Sequence, residues 1–175
     1  MITFSEYLQE GRDAPLYHYT SEKNFQDIFL SNRINASSMH NHATMNDLIG
    51  EKPFVSLSRN PNNKFIISHV RYFHSAGSDE VIILQLSQRK LAQSYKIIPF
   101  DFFSSERRST GASENEEAII GSIKNLNKYL ERIYMSKSAY NTYLYISDKY
   151  PDSLKSGIAH VYPIYDIKNR NKRLN

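Results

Sequence analysis

The apolar residues of this chain come in short, interrupted runs, and that spacing restricts its fold more than any other feature. Val81-Ile82-Ile83-Leu84 is among the longest of them, far below the roughly 20 apolar residues that cross a bilayer as a helix. No transmembrane helix is expected. Runs of this length, set between stretches with helical spacing, specify a sheet with helices packed on it. The chain has 175 residues, enough for one domain with a contiguous core. Cysteine is absent, which removes disulfides, thiolate nucleophiles and cysteine-held metal centres. Hydrophobic residues make up 40% and charged residues 23%, the balance of a folded chain and not of a disordered one. The formal charge of +4, with an isoelectric point near 9.1, favours an anionic partner such as a nucleotide or nucleic acid; solubility alone explains it equally well.

Along the chain, Thr3 to Gly11 reads as a short helix with a Thr3/Glu6 capping box and a glycine stop. Residues 1–10 are therefore expected to be a detachable leader helix, 11–167 a single domain, and 168–175 a basic, frayed tail. Leu16-Tyr17-His18-Tyr19-Thr20 alternates as a strand, and Ser21 caps a helix through Phe25, Ile28, Phe29 and Leu30. A long loop from Asn35 to Lys52 precedes the strand Phe54 to Ser58 and a helix from Phe65 to Phe73. Further strands are expected at Val81 to Leu86, around Tyr95 to Ile98 with Pro99 as its end, at Arg132 to Met135 and at His160 to Ile167. A polar loop from Phe100 to Gly111, a helical turn from Leu126 to Leu130 and a helix from Ala139 to Tyr150 complete an α+β pattern. A chain that begins without a basic, apolar secretory signal is expected in the cytoplasm.

Standard phosphate-loop, dinucleotide, nucleophile-elbow and zinc-protease motifs are absent. The sharpest local anomaly is Glu114-Asn115-Glu116-Glu117, a carboxylate cluster at the mouth of the short apolar run Ala118-Ile119-Ile120. Such a cluster either sits in solvent as a turn or places an acid at the floor of a cleft, where it can orient a hydroxyl or steady a developing positive charge. His18 is either a structural histidine on an aromatic strand or a ligand contact. Ser56 and Ser58 share one sheet face, opposite Val55 and Leu57, and either meet water or line a pocket. No metal site is expected: His40-x-His42 lies in the long loop, and His69 and His74, five apart, do not share a helical face.

The order of these pieces resembles the ADP-ribosyltransferase superfamily: a strand with His-Tyr-Thr-Ser, a helix, a strand with Ser-x-Ser, a helix, and Glu-x-Glu at the start of a later strand. The resemblance extends, through the wider pattern Leu16 to Ser21, Phe54 to Arg59, Tyr95 to Asp101 and Glu116-Glu117, to a group of small phage proteins over roughly Leu16 to Met135. It implies a split antiparallel/mixed β-sheet core with flanking helices. It further implies NAD as substrate, with His18 on the nicotinamide ribose, Tyr19 and Thr20 beside it, and Ser56, Ser58 and Arg59 at the pocket wall. Glu116 would be the catalytic carboxylate, Glu117 its alternative in register. The tyrosine that the His branch of the family carries on its second strand is absent, so Tyr72 or Tyr95 would supply the aromatic wall. Leu8-Gln9-Glu10 before Gly11 is similar to the Leu-x-Glu sites of phage prohead proteases, which implies cleavage after Glu10 and packaging in the capsid; an ordinary capped helix is the other reading. The activity so implied is mono-ADP-ribosylation of a host protein or nucleic acid in the host cytoplasm, with no membrane involved. Two rivals stand beside it: an inactive protein of the same fold that inhibits a host defence protein, and a packaged nucleic-acid-binding protein using Lys168, Arg170, Lys172 and Arg173 with exposed tyrosines.

Overall fold

The computed structural model describes residues 14–37, 52–74, 80–100, 116–149 and 162–175. The expected leader helix and its Glu10 site, Glu114, His40, His42, His160 and most of the two long loops lie outside the described residues. The elements, in order, are β1 (Leu16–Ser21), α1 (Glu22–Ser31), β2 (Arg33–Ile34), β3 (Phe54–Ser58), α2 (Lys64–His74), β4 (Val81–Leu86), α3 (Gln88–Ala92) and β5 (Ile97–Phe100). They continue with β6 (Glu116–Ile120), β7 (Ile123–Lys124), a 3-10 turn (Leu126–Lys128), β8 (Leu130–Met135), α4 (Lys137–Lys149) and β9 (Ile164–Asp166).

Seven strands form one sheet in the order β5-β6-β3-β1-β4-β8-β9, and β2 pairs with β7 in a second, two-stranded sheet. Every pairing in the large sheet is antiparallel except β8 with β9. The fold is thus α+β with a mixed sheet, as the spacing of apolar runs requires. Both faces of the sheet are covered, which is why β4 reads as a continuous apolar run. Ile82, Leu84 and Leu86 join Leu16, Leu57, Ile119 and Ile133 under Phe25, Ile28 and Phe29 of α1 and Ala139 and Tyr143 of α4. Val81 and Ile83 point the other way, into a cluster with Tyr17, Tyr19, Tyr134 and Val70 of α2.

Local signals place the helices. The Ser21 hydroxyl accepts the Asn24 amide at 3.3 Å, the Asn63 side chain accepts that of Ile66 at 3.1 Å, and Ser136 that of Ala139 at 3.0 Å, so α1, α2 and α4 each begin on a side-chain cap. Helix α1 stops at Asn32, whose φ of 50° is left-handed, a conformation that asparagine tolerates. No helix among the described residues is long and apolar enough to cross a membrane.

Several boundaries differ from the sequence reading, each for a physical reason. Pro99 does not end its strand but lies within β5; β5 is an edge strand, where a missing N–H breaks no ladder bond. Strand β8 starts at Leu130, two residues before its expected start, across a register shift opposite Gln85 and Leu86. The two-residue strands β2 and β7 are too short to leave a period. Residues 168–175 are not frayed: Tyr165 bridges Arg173, and the Leu174 amide donates to Ile164 O at 2.8 Å.

Candidate active site

The sheet opens between β1 and β3. Strand β1 pairs with β4 at every position from Leu16↔Leu86 to Ser21↔Val81, yet with β3 it shares the single registered pair Tyr17↔Ser58. Beyond that pair lies a cleft of about 360 Å³, within the roughly 300–1,000 Å³ typical of small-molecule sites. Its walls come from β1, β3, the first residue of β6, α1, Ile34 of β2 with the three residues after it, and Ile66 and Val70 of α2.

His18 spans the opening. Its Nδ1 lies 3.1 Å from Ser56 O, and because a carbonyl can only accept, that nitrogen carries the proton and donates. Burial pushes the His18 pKa below its ordinary value, against a smaller opposing effect of the Ser56 bond, so the ring is neutral near pH 7. Its Nε2 then keeps a lone pair and can accept a hydrogen bond from a ligand hydroxyl.

Beside it, Thr20 is buried and Ser56 half-buried, and both line the cleft. The tandem acids part company here. Successive side chains on a strand face opposite ways, and β6 pairs with β3 as Ser58↔Glu116 and Leu57↔Glu117. Glu116 lines the cleft at 5% exposure. Glu117 is 1% exposed, with its Oε1 2.5 Å from Arg59 Nε, and Arg59 Nη1 also donates to Gln88 Oε1 at 3.1 Å. The guanidinium neutralises a carboxylate that would otherwise be costly to bury.

The expected wall residues are distributed unevenly. Tyr19 lines the cleft, but its hydroxyl is engaged, donating to Asn60 O at 2.5 Å and accepting from the Asn63 amide at 3.1 Å. Burial raises its pKa to about 12. Ser58 is fully buried and closes a turn, its hydroxyl accepting the Asn60 amide at 3.1 Å. Ser58, Arg59 and Glu117 stand outside the cleft lining. Tyr95 is elsewhere too: its hydroxyl accepts the Lys124 amide at 2.9 Å, and its ring meets Tyr129 edge-on at 5.7 Å. The side chain of Tyr72 lies outside the described residues. Aromatic surface in the cleft comes instead from Tyr17, Tyr19 and Phe54.

Sequence reasoning missed Phe54, Asn24 and Asp27 as lining residues. Asn24 and Asp27 had a signal, since i, i+3 spacing puts them together on one shoulder of the apolar stripe of α1. Phe54 had none, because a strand's first aromatic reads as core.

The cleft runs through the opening, so the His18 imidazole and the Thr20 hydroxyl reach it from the α1 face of the sheet, and Ser56, Glu116 and the rings of Tyr17 and Tyr19 from the α2 face. Such a set can hold a sugar by its hydroxyls beside a planar group, and the carboxylate can stabilise positive charge that develops on that sugar. Among the described residues no group of three or more His, Asp or Glu could hold a metal ion. No protein-family model matches the chain, and no curated protein matches it.

Proposed function

We propose that the cleft binds NAD and that the chain is a mono-ADP-ribosyltransferase, acting on a host macromolecule during phage infection. The observation that carries this reading is the convergence of His18, Ser56 and Glu116 on one cleft at the opening between β1 and β3. Three distant stretches of sequence meet there, in the order that the superfamily resemblance leads one to expect.

In the reaction, His18 Nε2 accepts a hydrogen bond from a ribose hydroxyl, and its ring stays neutral because burial lowers its pKa. Glu116 accepts a hydrogen bond from the 2′-hydroxyl of the nicotinamide ribose. The bond from C1′ to the pyridinium nitrogen then breaks, and its electron pair neutralises the departing nicotinamide. Positive charge grows on the ribose as this happens. A carboxylate fixed beside it stabilises the transition state more than the ground state, which is what accelerates the step. The acceptor's lone pair closes on C1′, and the acceptor's proton passes to Glu116 or to water. Glu117 has no part in this, because Arg59 holds it on the other side of the strand.

The test is incubation with labelled NAD, with and without host lysate. Wild type is expected to release nicotinamide and label an acceptor. Glu116→Gln should lose about 100-fold or more in rate, the effect of removing one transition-state contact of about 3 kcal/mol, with its melting temperature unchanged. Wild-type turnover in Glu116→Gln, or no turnover by the wild type, overturns the proposal.

A further inference from the structure

The fold draws the basic end of the chain into a surface that the sequence alone does not reveal. After β9 the chain turns back, Asp166 N donating to Lys172 O at 2.9 Å, Lys172 N to Asn169 O at 2.8 Å and Leu174 N to Ile164 O at 2.8 Å. This return pairs with β9, and Arg170 reaches across to β8 to close a stack of two rings between two cations. The Arg170 guanidinium lies 5.0 Å from the Tyr134 ring centre, Tyr134 and Tyr165 are 5.8 Å apart and tilted by 34°, and the Arg132 guanidinium lies 5.3 Å from Tyr165. Arg170 is the anchored end: its Nη2 donates to Pro61 O at 2.5 Å. Arg132 is the open end, exposed like Lys168, Lys172 and Arg173 around it.

We infer that this surface binds single-stranded nucleic acid, with the exposed cations on phosphates and a base stacked on the outer face of the Arg132 guanidinium. Charge alone would suit any polyanion. The planar end of the stack is what selects unpaired bases: every base offers a π-face to a guanidinium or an aromatic ring, a duplex keeps its faces buried, and an acidic peptide has none. Two carboxylates, Glu131 and Asp166, border the patch and keep their charge, against the five cations Arg132, Lys168, Arg170, Lys172 and Arg173. Glu131 accepts from Gln85 Nε2 at 3.0 Å, and Asp166 Oδ1 accepts the Lys168 amide at 2.9 Å. The surface also adjoins the cleft, since Tyr134 packs in one apolar cluster with Tyr17 and Tyr19, both of which line it. The inference stands whether or not NAD is turned over.

The test is fluorescence anisotropy of a labelled single strand of about 20 nucleotides, titrated with the full-length protein from about 50 to 300 mM NaCl. Binding is expected at the low-salt end, with a slope of log K against log salt near −3, about 0.7 for each of the four exposed cations. The triple variant Lys168→Ala, Lys172→Ala, Arg173→Ala should cut that slope to about −0.7. Arg132→Lys keeps the charge and loses the plane, so it should keep the slope and weaken binding about fivefold or more. The Arg132→Lys comparison decides the matter if the triple variant fails to fold. No binding at low salt, an unchanged slope in a folded triple variant, or wild-type affinity in Arg132→Lys overturns the inference. So does a duplex, or a poly-glutamate peptide, that binds as tightly as the single strand.

Discussion

At 1% exposure, the Glu117 carboxylate holds a place that an unpaired charge could not keep, and Arg59 is what keeps it there. The pair also decides which of two adjacent acids faces the cleft. A slip of one residue in β6 would turn Glu117 inward and Glu116 outward, and the ion pair works against that slip. Arg59→Met is expected to destabilise the protein by about 3–5 kcal/mol, because it removes one partner of a buried pair. Replacing both, as Arg59→Met with Glu117→Leu, should recover most of that loss. Urea midpoints of the single and double variants measure both effects, and a single variant as stable as wild type would show that the pair contributes little.

Among the elements, the parting of β1 from β3 matters most, and Tyr19 braces it. Its hydroxyl ties β1 to Asn60 and Asn63, the loop that links the end of β3 to the cap of α2. With a pKa raised to about 12 by burial, the hydroxyl stays protonated across any ordinary assay, so it remains a donor to Asn60 O. Tyr19→Phe is expected to cost about 1–2 kcal/mol. Its effect on ligand affinity should be larger than its effect on the far side of the sheet, because α2 and the cleft wall loosen together. Amide exchange would read this as faster exchange in residues 59–66 with little change in β8. Exchange that rises evenly over all strands would count against a local brace.

For the molecule as a whole, His18 links the cleft to stability. Its pKa falls below the ordinary 6.5 in the folded state because burial penalises the charged ring. Between that lowered value and about 6.5 the native state therefore binds fewer protons than the unfolded chain, and stability rises with pH over that window. Above about pH 6.5 the contribution is fully present, and as the pH falls toward the lowered pKa it is lost. In His18→Asn, whose amide can still donate to Ser56 O, that part of the pH dependence should vanish. The difference between the two proteins' urea midpoints, followed from pH 7.5 downward, isolates it from the other histidines. A constant difference over the whole range would mean that His18 does not titrate as its burial requires.

Short apolar runs and a cap at Ser21 sufficed to read the α+β class, β1, β3, β4 and the helices over Glu22–Ser31 and Lys64–His74, because alternation and capping are properties of neighbouring residues. The facing of Val55 and Leu57 into the core followed from the same two-residue period. Nothing local could say that β1 and β3 would share a single registered pair, that Arg59 would reach Gln88 and Glu117, or that the basic end would fold back onto Tyr134 and Tyr165. Those depend on which strands become neighbours, a choice made by the burial of the whole sheet between α1, α4 and α2. Period and capping thus determined what each segment is. Only tertiary packing decided that Glu116 and not Glu117 lines the cleft with His18, because register is fixed by long-range pairing that no short stretch of sequence contains.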